Sequence, residues 1–153
     1  MPKLIFHGKP TNEGGKIEER ERHLYHQGVT VHFNDTAYNN EELIAQWINN
    51  ELIPILKPTA QDEVLLAFDA AAFHKTSEIL QTFHNNHIVP ALIPGGCTGL
   101  LQPLDTAVNK PFKELLREYT ELYIDAKEDA GEDIEKWSVS QKRIMVTHVV
   151  GEA

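Results

Sequence analysis

A chain of 153 residues with 41% hydrophobic content is long enough to bury one core and too short for two ordinary domains. Its formal net charge of −9 excludes long-range attraction of nucleic acid by the molecule as a whole, so any such contact must come from a local site. One cysteine, Cys97, excludes an internal disulfide, and no apolar run approaches the roughly 20 residues of a membrane helix; with no secretory pattern at Met1-Pro2-Lys3-Leu4-Ile5-Phe6-His7, the expectation is an intracellular protein with no membrane partner.

The apolar island Leu4-Ile5-Phe6 predicts a short strand, and Gly14-Gly15 breaks the chain after it. Residues 16–27 mix Glu, Arg and Lys and predict a solvated helix ending at Gly28. Val29-Thr30-Val31-His32-Phe33 alternates with the period of a strand that buries one face. Asn39 or Asn40 is placed to cap a helix in which Leu43, Ile44, Trp47, Ile48 and Leu52 recur at helical spacing, with Pro54 and Pro58 expected to close it. Trp47 reads as core packing.

Val64-Leu65-Leu66-Ala67-Phe68 is an unbroken apolar run, the pattern of a strand covered on both faces in a parallel sheet. Thr76 or Ser77 opens a helix with Ile79, Leu80 and Phe83 inward, and residues 88–93 supply a second buried strand. Strand, helix, strand makes a crossover unit and an α/β fold. Residues 94–99 are a loop by composition, a long helix follows from Leu104 to about Lys127, and Ser138 or Ser140 caps a final short helix. The acids between Glu118 and Glu135 form a solvated helix face or an acidic tail.

Two carboxylates stand out by position. Asp69 directly follows the first buried strand, and Asp105 lies near the start of the long helix. Taken singly, the first is a strand exit into water and the second a helix-entry acid favoured by the helix dipole. Between them lie one helix, one strand and one loop, a spacing that brings both to the carboxyl end of the sheet, where open α/β sheets gather their ligands. Paired carboxylates suit Mg²⁺, a hard ion that takes oxygen ligands and serves phosphoryl transfer.

The order of these features is specific. Leu65-Leu66-Ala67-Phe68-Asp69 with His74, then Leu92-Ile93-Pro94-Gly95-Gly96-Cys97-Thr98-Gly99-Leu100-Leu101-Gln102-Pro103-Leu104-Asp105, then Asn109-Lys110-Pro111-Phe112-Lys113, resembles the DDE superfamily endonuclease domain of pogo, Tigger and centromere-protein-B relatives. The resemblance is strongest over residues 64–123, reaches back more loosely to Leu4 and is not apparent beyond Asp125. It implies a ribonuclease H-like fold, with Asp69 and Asp105 as the second and third acids of a metal-binding catalytic triad. It also implies weakly bound Mg²⁺ or Mn²⁺ as cofactor, DNA as partner and a nuclear location.

In that family the first acid sits on the first strand of the sheet, upstream of the point that resembles Leu4-Ile5-Phe6. By the resemblance, residues 1–125 form a catalytic core truncated at its N-terminus, without its first strands and first acid, and residues 126–153 form an acidic tail or helix. Asp35 also follows a strand-like run, but at a different place in the family's strand order. The expected function is that of a transposase-derived nucleic-acid-binding protein with a partial endonuclease and strand-transfer core, inactive alone. Two alternatives stand beside it: part of an active transposase whose first Asp lies upstream, and an acidic protein-interaction module. An exposed sheet edge left by the absent strand invites a homo-oligomer.

The neighbours of the two acids admit two readings each. His74 either orients the site or a phosphate, or makes a loop or helix-entry contact. Gln102 and Asn109 either steady Asp105 or touch DNA, or else serve helix-entry hydrogen bonding. Lys110, Lys113 and Arg117 face either a phosphate backbone or neighbouring acids on their helix.

Overall fold

The computed structural model describes residues 1–69, 76–94 and 107–153. The chain forms two compact units, one of Met1–Tyr38 with Lys110–Ala153 and the other of Asn39–Asn109.

Unit 1 begins with β1 (Lys3–His7), which pairs in parallel with β2 (Thr30–Asn34), Lys3 opposite Thr30 and His7 opposite Asn34. A parallel pair needs a crossover, and the charged segment between the strands supplies it. That segment is not the single solvated helix its composition predicts: α1 (Ile17–Glu21) is five residues long and tightens into a 3-10 turn over Arg22–Leu24. A tertiary contact explains the break. Glu21 is buried, accepts a hydrogen bond from the Tyr25 hydroxyl at 2.9 Å, and takes two more from the Arg143 guanidinium, at 2.7 Å from Nε and 3.0 Å from Nη2.

Arg143 comes from α6 (Val139–Glu152), the last helix; α5 (Asn109–Asp129) precedes it. Ser138 caps α6 in a reciprocal arrangement: its hydroxyl accepts from the Gln141 backbone N–H, and the Gln141 side chain accepts from the Ser138 N–H. Ser138 is thus the cap, and the helix has 14 residues and is not short. The guanidinium of Arg143 stands 5.7 Å from the ring centres of both Phe6 and Phe33, so one charged group spans both strands and α1. Burial raises the Glu21 carboxyl, but hydrogen bonds from Arg143, Ser140 and Tyr25 outweigh it and hold the group below the ordinary glutamate value. Gly151 of α6 lies against the His26 ring; a Cβ there would stand 1.9 Å from Nδ1, which restricts this position to glycine.

Unit 2 begins with α2 (Glu41–Trp47), capped by Asn40, whose side chain accepts from Leu43 N–H at 2.9 Å. The helix continues through a π-helical stretch (Ile48–Leu52) into α3 (Ile53–Leu56) and stops at Lys57 in the left-handed region, φ 48°. Pro54 therefore does not end it. The Ile53 N–H bonds back to Ile48, one residue further than in an α-helix, and that wider turn accommodates a proline at the start of the next segment.

β3 (Val64–Asp69) pairs in parallel with β4 (Ile88–Ile93), and α4 (Ser77–Asn85) connects them. Thr76 caps α4 by accepting from Ile79 N–H. Ile44, Ile48 and Leu52 pack with Ile79, Phe83 and Ile88, and Leu66, Phe68 and Trp47 add to the cluster. Among the described residues, the two-sided cover expected for β3 is not found. Leu65 is 69% exposed and Ala67 is exposed, alternating with the inward Leu66 and Phe68. In β4, Ile88 and Ile93 are buried while Val89 and Leu92 are exposed. The helices of unit 2 cover one face of this strand pair, so an apolar run reports strand character without reporting how many faces are covered.

Candidate metal-binding site

Asp69 is the last residue of β3, in register with Ile93, the last residue of β4. Because the strands are parallel, their carboxyl ends coincide, and the segment that leads from Pro94 to Asp105 starts beside Asp69. Strand alternation puts Asp69 with Leu65 and Ala67, on the side away from Leu66, Phe68 and the apolar cluster. Asp69 is half-buried, and the ladder fixes the backbone that carries it.

Of the other expected site residues, His74, Gln102 and Asp105 lie outside the described residues, as do Gly95, Gly96 and Cys97. Asn109 is the first residue of α5 and is half-buried. Asp35 is exposed just past β2, in unit 1. Among the described residues, no group of three or more His, Cys, Asp or Glu is disposed to hold a metal ion.

The family model of the DDE superfamily endonucleases matches residues 1–150. The chain belongs to that family. No curated protein and no solved structure matches the chain. Membership in the DDE family suggests the ribonuclease H-like fold, consistent with the mixed helix and strand content and the parallel β3–β4 pair. It implies a transposase-derived nuclease domain, DNA as the substrate of the family, and the family's general use of divalent metals. The match continues past Asp125, where the resemblance read from motifs alone stops. The structure supplies a reason: α6 contributes Arg143 to the buried contacts of unit 1, so this helix is part of the packed fold. No described helix is long and apolar enough to cross a membrane.

A concave feature of unit 1 escaped the sequence. Tyr123 and Lys127 of α5, Glu132, and Trp137 and His148 line a groove within unit 1. The acids of this stretch read as a solvated face, and Glu118, Glu121, Asp125, Glu128 and Asp129 are indeed exposed. Glu132 departs from that pattern, bonded to both Lys127 and Trp137. The only local hint was Tyr123 four residues before Lys127 on one helix face.

Proposed function

We propose that this chain is the metal-holding part of a transposase-type DNA endonuclease core of the pogo and Tigger kind, with Asp69 and Asp105 as the carboxylates that bind Mg²⁺ or Mn²⁺. One observation carries the reading: Asp69 ends β3 level with the end of β4, so the segment bearing Asp105 departs from the same end of the sheet. The donor chemistry fits, since carboxylate oxygens are the ligands a hard divalent ion prefers. A bound ion there would favour attack on a phosphodiester by lowering the cost of charge on the attacking and leaving oxygens.

The protein's own part is positioning. The β3 ladder fixes Asp69 and the end of β4 fixes where the segment toward Asp105 starts; in this reading His74, Gln102 and Asn109 are the residues assigned to support the two acids. Two carboxylates leave the ion mostly hydrated, so binding is weak and this chain alone does not cut or join DNA. DNA contact and a nuclear location belong to the same reading. Among the described residues β3 has one partner strand, β4, and Leu65 opposite Val89 is exposed, which supports self-association through this strand pair.

Calorimetry with Mn²⁺ tests the site directly. Wild type is expected to bind weakly, and Asp69→Asn and Asp105→Asn each to abolish the heat. Tight binding, or binding untouched by either substitution, would overturn the assignment. Plasmid nicking in Mg²⁺ that disappears in both Asp69→Ala and Asp105→Ala would instead keep the site and reject inactivity. A second reading, an acidic protein-interaction module, is favoured by the exposed row of Glu118, Glu121, Asp125, Glu128 and Asp129 on α5. Pull-down against DNA and against histones separates the two.

A further inference from the structure

The groove lined by Tyr123, Lys127, Glu132, Trp137, His148 and Leu24 has a volume of about 510 Å³. It is large enough for a long side chain, and it already holds a cation. Lys127 Nζ stands 5.8 Å from the centre of the Tyr123 ring and 2.9 Å from Glu132 Oε1. The other oxygen of Glu132 accepts from Trp137 Nε1 at 3.1 Å, so the indole aims the carboxylate at the ammonium. Trp137 is buried and meets Tyr123 edge-on, with ring centres 6.1 Å apart at 80°, and His148 lies 5.7 Å from Tyr123. An aromatic face beside a fixed carboxylate is the chemistry that recognises lysine and arginine side chains.

The resident cation is replaceable. The Lys127 and Glu132 side chains are 37% and 35% exposed, and an ion pair in that much water is weak. The residues that flank Lys127 and Glu132 in the chain include the exposed acids Glu128, Asp129, Asp133 and Glu135, of which Asp133 is paired with Lys136. The net negative charge of this stretch repels phosphate and favours a basic polypeptide. We infer that the groove docks a lysine or arginine side chain from a basic segment of a partner protein, which displaces Lys127 from Tyr123 and Glu132.

The chain's two tryptophans make the test specific, since Trp137 belongs to unit 1 and Trp47 to unit 2. The ¹⁵N-labelled chain is titrated with a hexa-arginine peptide while both indole N–H signals are followed. A saturable shift of the Trp137 signal, with Trp47 unmoved, is expected. Glu132→Gln keeps a hydrogen-bond acceptor for Trp137 and is expected to weaken the peptide about tenfold, as loss of one charge-assisted contact would. Lys127→Met removes the competitor and should tighten binding several-fold. Neutralising two of the flanking acids with Glu128→Gln and Asp129→Asn should cost much less than Glu132→Gln. The inference fails if Trp137 does not respond, if Lys127→Met weakens binding, if that double variant matches Glu132→Gln, or if a DNA duplex occupies the groove instead. These readouts are independent of metal binding at Asp69, so failure of either proposal leaves the other standing.

Discussion

In unit 1 the β1–β2 pair is covered by a guanidinium: Arg143 lies over Phe6 and Phe33 and locks onto Glu21, with about a tenth of either side chain exposed. In unit 2 the β3–β4 pair is covered by Ile79, Phe83, Ile44 and Ile48, with no charge in the cluster among the described residues. The same local motif, two parallel strands joined by a crossover, is thus closed once by a directional ion pair and once by apolar area. The two closures fail differently. An apolar cluster loses stability in proportion to the volume removed, whereas a buried ion pair loses most when one partner is left without the other.

The largest expected effect follows from that asymmetry. Arg143→Ala leaves the Glu21 carboxylate buried and uncompensated, and should destabilise unit 1 by about 3–5 kcal/mol in denaturant unfolding read at Trp137. Replacing both partners, Glu21→Leu with Arg143→Met, should recover most of the loss; a double variant as unstable as the single one would mean that packing of the Arg stem dominates. Acid should reproduce the effect. The Glu21 carboxyl is depressed in the folded state, so its contribution is full above the unfolded value near 4.5 and is lost as pH falls through the lower folded value. Acid titration is therefore expected to disturb the Trp137 signal before that of Trp47, and the reverse order would contradict the ion-pair account.

Next in size is unit 2. Ile79 is fully buried in the apolar cluster, and Ile79→Ala should cost roughly 3 kcal/mol, mid-range for such a truncation, with no pH dependence of its own. Thermal unfolding followed at Trp47 at pH 7 and pH 4.5 checks this. A loss that differs between the two pH values would show that a charged group shares the cluster.

How far all this was legible depends on the range of the interaction that decides each feature. The strands β1 to β4 and the inward Ile79 and Phe83 follow from spacing within a few residues, and local pattern narrows each of three helix caps to two candidates, of which the structure selects Asn40, Thr76 and Ser138. The break after Glu21 does not, because its cause, Arg143, lies 122 positions away. Pro54 misled for a related reason: proline ends a helix only where the hydrogen-bond register cannot shift, and here a wider turn shifts it. For the site, the place of Asp69 at the carboxyl end of β3 was readable as the charged residue after an apolar run. The exposed side of β3 was not, since Leu65 and Leu66 look alike in composition and differ only in what packs on them.

The smallest expected effect sharpens the comparison most. Ser138→Ala and Asn40→Ala each remove a side-chain acceptor at a helix start, Ser138 for Gln141 N–H and Asn40 for Leu43 N–H, and each should cost about 1 kcal/mol. Their couplings should differ. Arg143 lies in the second turn of α6, so loosening the Ser138 cap also loosens the geometry of the Glu21 pair. In an Arg143→Met background that geometry no longer matters, and Ser138→Ala should cost less than in wild type, a coupling of about 0.5 kcal/mol or more. Asn40 caps a helix that enters its cluster through Ile44 and Ile48, where apolar contacts tolerate small shifts, so Asn40→Ala and Ile79→Ala should add within about 0.5 kcal/mol. If both cycles prove additive, the position of Arg143 is set by strand packing over Phe6 and Phe33, and the cap has no part in orienting the ion pair.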